Sequence, residues 1–227
     1  MPDPLAFDER YLTAIHEAGH AVAAAVLRKR LGRPKIYDVP KKIETPDGSR
    51  ILRFGISSVR LKPSRRFKAP DGTSWGWPTR WCPWLEREIV VGISGPMAER
   101  FVRVLSGELT ERAALTASVG DFTDRPTARW LAAKVYRHRP GREGRKMIQQ
   151  RLHEAHAASR RLVVDNWPAI EVVARLLYKI GSLGSRDVRR FVRHFQATSD
   201  GQAGQSAHAM TVESLTEWKR DVECLNL

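Results

Sequence analysis

His16 and His20 stand four positions apart, and Glu17 directly follows the first of them. On a helix, a spacing of four brings two side chains to one face, one turn apart. Two neutral imidazoles held this way can take two corners of a tetrahedral zinc site. Glu17 projects from the next position, close enough to take a proton from a zinc-bound water. This is the HExxH arrangement of zinc peptidases. Two ordinary buried histidines with hydrogen-bond partners would need no acid at that position.

Zinc needs a third protein ligand. Read from the residues, the candidates are Glu99, Asp121 and Asp124. The three-histidine HExxHxxGxxH pattern is absent, because position 26 is Val26. A second pair, His153 and His156, is spaced by three, has no acid partner and reads as exposed helix surface.

The motif must ride on a helix. Asp8 is a suitable N-cap, and Glu9 favours the positive end of the helix dipole. From Tyr11 onward the chain is rich in Ala, Leu and Val. Lys29 and Arg30 suit a last turn, with Gly32 as the stop. Arg33 to Lys42 reads as a connector, and Ile51 to Leu61 as one or two short strands with Gly55 as a bulge. Lys62 to Trp84 is irregular and holds Trp75, Trp77, Trp81 and Trp84. Such indoles more often cover a shallow core than grip a substrate.

Leu85 to Leu105 has a 3.6-residue apolar period, with Gly95-Pro96 expected to kink or split it and small residues that permit close approach of another helix. Asp121 and Asp124 fall at the N-terminus of a helix from about Arg125, with Pro126 in its first turn. Further helices are expected over Arg145 to Asn166, Trp167 to Lys179 and Arg186 to Phe195. Gln196 to Ala209 reads as small, polar and mobile, ahead of a last helix over Val212 to Leu225. The predicted class is mainly α (α+β), with a small β-sheet beside the HExxH helix. The division expected is residues 1–196 as the peptidase domain and residues 197–227 as a flexible segment plus a short C-terminal helix.

Composition bounds the rest. The 227 residues are 42% hydrophobic, enough for a proper core. No apolar run is long enough to span a bilayer, and the acidic N-terminus lacks a signal core. Cys82 and Cys224 form no CxxC pair, which fits a reducing, cytoplasmic setting. The net charge is +14. Many cations fall on helices among apolar residues, a pattern read as solvated helix faces. With no zinc-finger, RNP-like or basic-zipper spacing, nucleic acid is not the expected partner.

Three stretches resemble the zinc peptidase domain of the FtsH-type AAA proteases. Thr13 to Ala23 is similar to that family's motif helix almost letter for letter. Ile93-Ser94-Gly95-Pro96-Met97-Ala98-Glu99 resembles its Tyr-Gly-Gly-Arg-Ala/Leu-Ala-Glu segment. Ser118-Val119-Gly120-Asp121-Phe122-Thr123-Asp124 resembles its Ser/Thr-x-Gly-x-x-Asn-Asp segment. A weaker likeness runs from His153 to Val192. The resemblance implies Zn²⁺ held by His16, His20 and Asp124, with Glu17 as general base. Glu99 then supports the site, and Glu99 and Asp121 remain the alternative ligands.

Pro96, Met97 and Thr123 depart from the family pattern, and no Gly-x-x-x-x-Gly-Lys-Ser/Thr phosphate loop is present. The activity implied is an ATP-independent metalloendopeptidase acting on flexible or unfolded polypeptides. It would work alone, as a homo-oligomer like the ring-forming family, or with a separate ATPase. The alternative is a catalytically silent peptidase-like module that binds an acidic protein or a nucleic acid.

Overall fold

The computed structural model describes residues 8–44, 50–56, 82–108, 124–135 and 141–201. The chain forms two units, Met1–Phe195 and Gln196–Leu227, and the first holds every described element except the end of the last helix. The architecture is mainly helical. In order it comprises α1 (Glu9–Val26), β1 (Lys35–Glu44), β2 (Arg50–Ile56), α2 (Cys82–Leu105) and α3 (Asp124–Val135), then α4 (Gly141–Asp165), α5 (Trp167–Ile180) and α6 (Ser185–Gly201). The Trp-rich stretch before α2, Asp121 and the expected C-terminal helix lie outside the described residues.

Asp8 caps α1 as its type suggests, accepting a hydrogen bond from the Arg10 backbone at 2.8 Å. Its other oxygen accepts from the Tyr178 hydroxyl at 2.6 Å, which ties the start of α1 to α5. Twelve of the eighteen residues of α1 are buried, so the helix is a core element rather than a surface one. Ile15 and Val22 have no exposed surface. Each contributes about 1.5–3 kcal/mol through burial.

α1 ends at Val26, earlier than the basic residues after it suggested. Arg28 adopts φ 54°, which turns the chain out of the helix. The reason is visible one residue on. Lys29 is buried, with its Nζ 2.5 Å from Glu88 Oε1 on α2. The lysine belongs to the core, so it cannot serve as an exposed last-turn cation.

The stretch expected to be a connector holds most of β1, which pairs antiparallel with β2. Pro40, which has no N–H to give a ladder, lies where the register is irregular, between Ile36 and Lys41. The start of β1 is also pinned from its other side. The Ile36 N–H donates to the Gly181 carbonyl at 2.8 Å, and Leu183 N–H to the Pro34 carbonyl at 3.2 Å.

Gly95-Pro96 does not split α2, which runs unbroken through Pro96. Proline forfeits one helical hydrogen bond. Buried residues on both sides of it, including Ile89, Ile93, Ala98 and Val102, hold the helix continuous. α2 packs against α1, α3 and α4. Leu85, Ile89 and Ile93 meet Ala128, Leu131 and Ala132 of α3 and Ala155 of α4 in one apolar cluster.

α4 begins at Gly141, four residues before the Arg145 start expected from sequence, and Gly141 has φ 80°. Asn166 stands between α4 and α5 but does not cap α5 through its side chain. Its Nδ2 donates instead to the Leu162 carbonyl at 2.9 Å. α6 continues past Phe195, so Gln196 to Gly201 is helical rather than irregular.

Candidate metal centre

Three helices build the site: α1 supplies the histidines, α2 supports them, and α3 delivers a carboxylate at its first residue. Gly19, inside the motif, sets how closely α1 and α2 approach. A Cβ there would stand 2.6 Å from the Ser94 carbonyl oxygen and 2.8 Å from Ala98 Cβ. Gly95 performs the same service for the imidazole, since a Cβ on it would stand 2.6 Å from His20 Cε1. A glycine inside a helix costs about 1 kcal/mol relative to alanine. Here the close crossing requires both.

The histidines are fixed by their outer nitrogens. His20 Nδ1 lies 2.8 Å from the Val91 carbonyl oxygen, which can only accept, so Nδ1 carries the proton. In the neutral ring, Nε2 is then a lone pair. His16 Nδ1 lies 3.3 Å from Glu99 Oε2. Its Nε2 also faces inward, 3.1 Å from His20 Nε2. Asp124 Oδ2 completes the triangle, 2.9 Å from His16 Nε2 and 3.3 Å from His20 Nε2.

Three acceptor atoms thus converge on one point. Tetrahedral zinc at ~2.0–2.2 Å from its ligands sets them ~3.3–3.6 Å apart. The observed edges, 2.9 to 3.3 Å, match one face of that tetrahedron with a slight contraction. The donor set therefore fits a divalent cation of the zinc type. Among the described residues this is the group of His, Cys, Asp and Glu side chains that could hold a metal ion.

Electrostatics say the same in protons. Burial alone would lower the His16 pKa, but the hydrogen bonds to Asp124 and Glu99 outweigh it. With the charges of Asp124 and Glu17 they raise the ring from 6.5 to about 10. Burial acts to raise Asp124, but the charge of His20 and hydrogen bonds from both rings hold its carboxyl well below the ordinary 3.8. The cluster attracts positive charge strongly.

Of the residues singled out from sequence, His16, His20 and Asp124 come together, and Glu99 stands behind His16. Glu17 is buried on the same helix, 6% exposed. Asp121 is outside the described residues. His153 is exposed and joins no such cluster. Sequence reasoning missed the Val91 carbonyl, which offers no side-chain signal, and Arg103, whose Nη2 lies 3.4 Å from Glu99 Oε1. The i,i+4 spacing of Glu99 and Arg103 was the available clue. No family model matches the chain, and no curated protein matches it.

Proposed function

We propose that this chain is a zinc-dependent metalloendopeptidase of the FtsH-like kind, cutting flexible or unfolded polypeptides. The observation that carries the reading is the convergence of His16 Nε2, His20 Nε2 and Asp124 Oδ2 within 3.3 Å, beside a buried glutamate. When held by these three residues, zinc supplies Lewis-acid polarisation of a carbonyl and acidifies water.

The chain's own groups do the rest. Val91 and Glu99 orient the two rings through their Nδ1 atoms. The Glu17 carboxylate takes a proton from the attacking water and returns it to the leaving nitrogen. The small sheet beside the motif helix belongs to this reading. Its edge would hold an extended substrate by main-chain hydrogen bonds, and packing of α1 against both strands supports that role.

The test is metal analysis of the purified protein, paired with cleavage of unfolded casein with and without a chelator. Stoichiometric zinc and chelator-sensitive cleavage are expected. Glu17→Gln should keep the zinc and lower turnover by about 10²–10⁴-fold. Full cleavage by that variant would remove Glu17 as the base, and cleavage indifferent to the chelator would remove the metal.

A further inference from the structure

Two runs of cations that are far apart in the chain share one surface. The first follows α1: Arg28, Arg30, Arg33 and Lys35 are all exposed. The second is on α6, where Arg186, Arg190 and Arg193 are exposed at spacings of four and three. That spacing puts them on one helix face. Arg189 joins the two runs. Its Nη2 donates to the Lys29 carbonyl at 3.0 Å, across 160 positions of sequence. The backbone seals the same seam, through Leu183 to Pro34 and Ile36 to Gly181. Asp187 is the one acid in residues 27–36 and 179–195.

We infer that this surface is a docking site for the phosphate backbone of a nucleic acid, separate from the metal centre and independent of its chemistry. Charge complementarity identifies the partner as a polyanion. Guanidinium groups dominate, and their planar fork suits phosphate oxygens. The apolar face formed by Val188, Phe191 and Val192 of α6 is already covered, at 0%, 4% and 3% exposed, and is not free for lipid. A helix that lies in a membrane surface needs that face free. Ile180 is exposed near the seam, and one side chain is too little to anchor a bilayer contact. Along α6 the arginines repeat every ~4.5–6 Å of helix rise, a spacing that lets them meet nearby phosphates on a strand. Base edges are not involved, so binding is independent of sequence and steeply dependent on salt.

The whole protein carries a net charge of +14, so the test must separate this surface from charge in general. Anisotropy of a labelled DNA duplex of about 20 base pairs, read in about 50 and 200 mM salt, provides it. The triple variant Arg186→Ala, Arg190→Ala, Arg193→Ala should weaken binding at least ~30-fold at the lower salt, and reduce the salt slope by about 3. Arg189 is kept because it holds α6 to the α1 exit. A control triple, Arg142→Ala, Arg145→Ala, Lys146→Ala, removes the same charge from the exposed start of α4 and should change binding less than about threefold. Should the first triple fail to fold, Arg30→Ala, Arg33→Ala, Lys35→Ala probes the other half of the surface with the same expected loss. Equal losses in patch and control variants would overturn the proposal. So would capture by phosphatidylserine vesicles or polyglutamate with no retention of the duplex.

Discussion

Two clusters of buried or half-buried ionisable groups involve α1 and the turn that follows it, and they are built to opposite plans. Near the end of α1, Lys29 and Glu88 neutralise each other one to one. Near its middle, His16, His20 and Asp124 aim three acceptor atoms at a common point. The first cluster is complete as it stands. The second is complete only with positive charge added from outside, as a proton or as a cation. Burial of charge is therefore no guide to function by itself. What distinguishes the two is whether the buried groups satisfy one another or point at something else.

The ion pair gives the largest expected effect. Burial is the leading influence on both partners, pushing Lys29 down and Glu88 up, with each partner's charge opposing it. Both shifts favour the neutral forms. A depressed lysine stabilises the fold only above its unfolded pKa, and a raised glutamate only below its own, so near neutrality neither shift adds stability. Removing one partner is far worse, because the other charge is left in the core. Lys29→Ala should cost about 3–5 kcal/mol in denaturant melts, whereas Lys29→Met with Glu88→Leu should be neutral or stabilising. A double variant as unstable as the single would show that the pair contributes net attraction.

Asp124→Ala attacks the other cluster. It should lower zinc affinity by at least ~100-fold, beyond the loss usual for groups that merely support a ligand. The Lys29→Met, Glu88→Leu protein should bind zinc normally. Competition with a chromogenic chelator reads both. If Glu99→Ala strips the metal while Asp124→Ala keeps it, the ligand has been misassigned.

The paired rings were legible because a local rule governs them: four residues on a helix is one turn, and Asp8 starts that helix where its residue type says it should. The mainly helical class follows from the same periodicities. Which acid meets the rings was not legible from spacing, because it depends on how α2 and α3 pack. Glu99 and Asp124 looked equivalent as residues, and only the resemblance separated them. Lys29 misled for a related reason. Helix-end rules describe a cation in water, and this one has a buried partner on α2. At Pro96 the helix runs on rather than splitting, because tertiary burial on both sides outweighs one lost hydrogen bond. The cationic surface was invisible for the plainest reason, since its halves meet only in the fold.

The metal-free protein offers a subtler contrast, in pH. His16 has a folded pKa raised from 6.5 to about 10. Its contribution is therefore fully present below 6.5 and is lost as pH rises towards 10. Asp124 is depressed, so its contribution is present above 3.8 and lost in more acid solution. After chelator treatment, thermal stability should peak between about pH 4 and 6.5 and decline on the alkaline side. Zinc should abolish that decline, since metal and proton compete for the same lone pairs. A profile that stays flat from pH 6.5 to 10 without metal would mean the His16 ring is not coupled to the acids as described.

The smallest effect tests how far the open cluster extends. Arg103 Nη2 lies 3.4 Å from Glu99 Oε1, while the other oxygen of Glu99 faces His16 Nδ1 at 3.3 Å. Arg103 Nη1 pairs with Glu108, near the end of the described α2 region. The arginine thus helps keep Glu99 aimed at the ring, two contacts away from any ligand atom. Groups that hold a metal-binding histidine directly are worth about 10–100-fold in affinity, so a group one step further out should be worth less than about tenfold. Arg103→Ala should therefore weaken zinc modestly, and Arg103→Lys should restore most of it. In the cobalt-substituted protein the visible bands should shift with Arg103→Ala and return with Arg103→Lys, because ring orientation sets the ligand field. Equal zinc affinity and unshifted bands in Arg103→Ala would confine the cluster to Glu99 and the groups it surrounds.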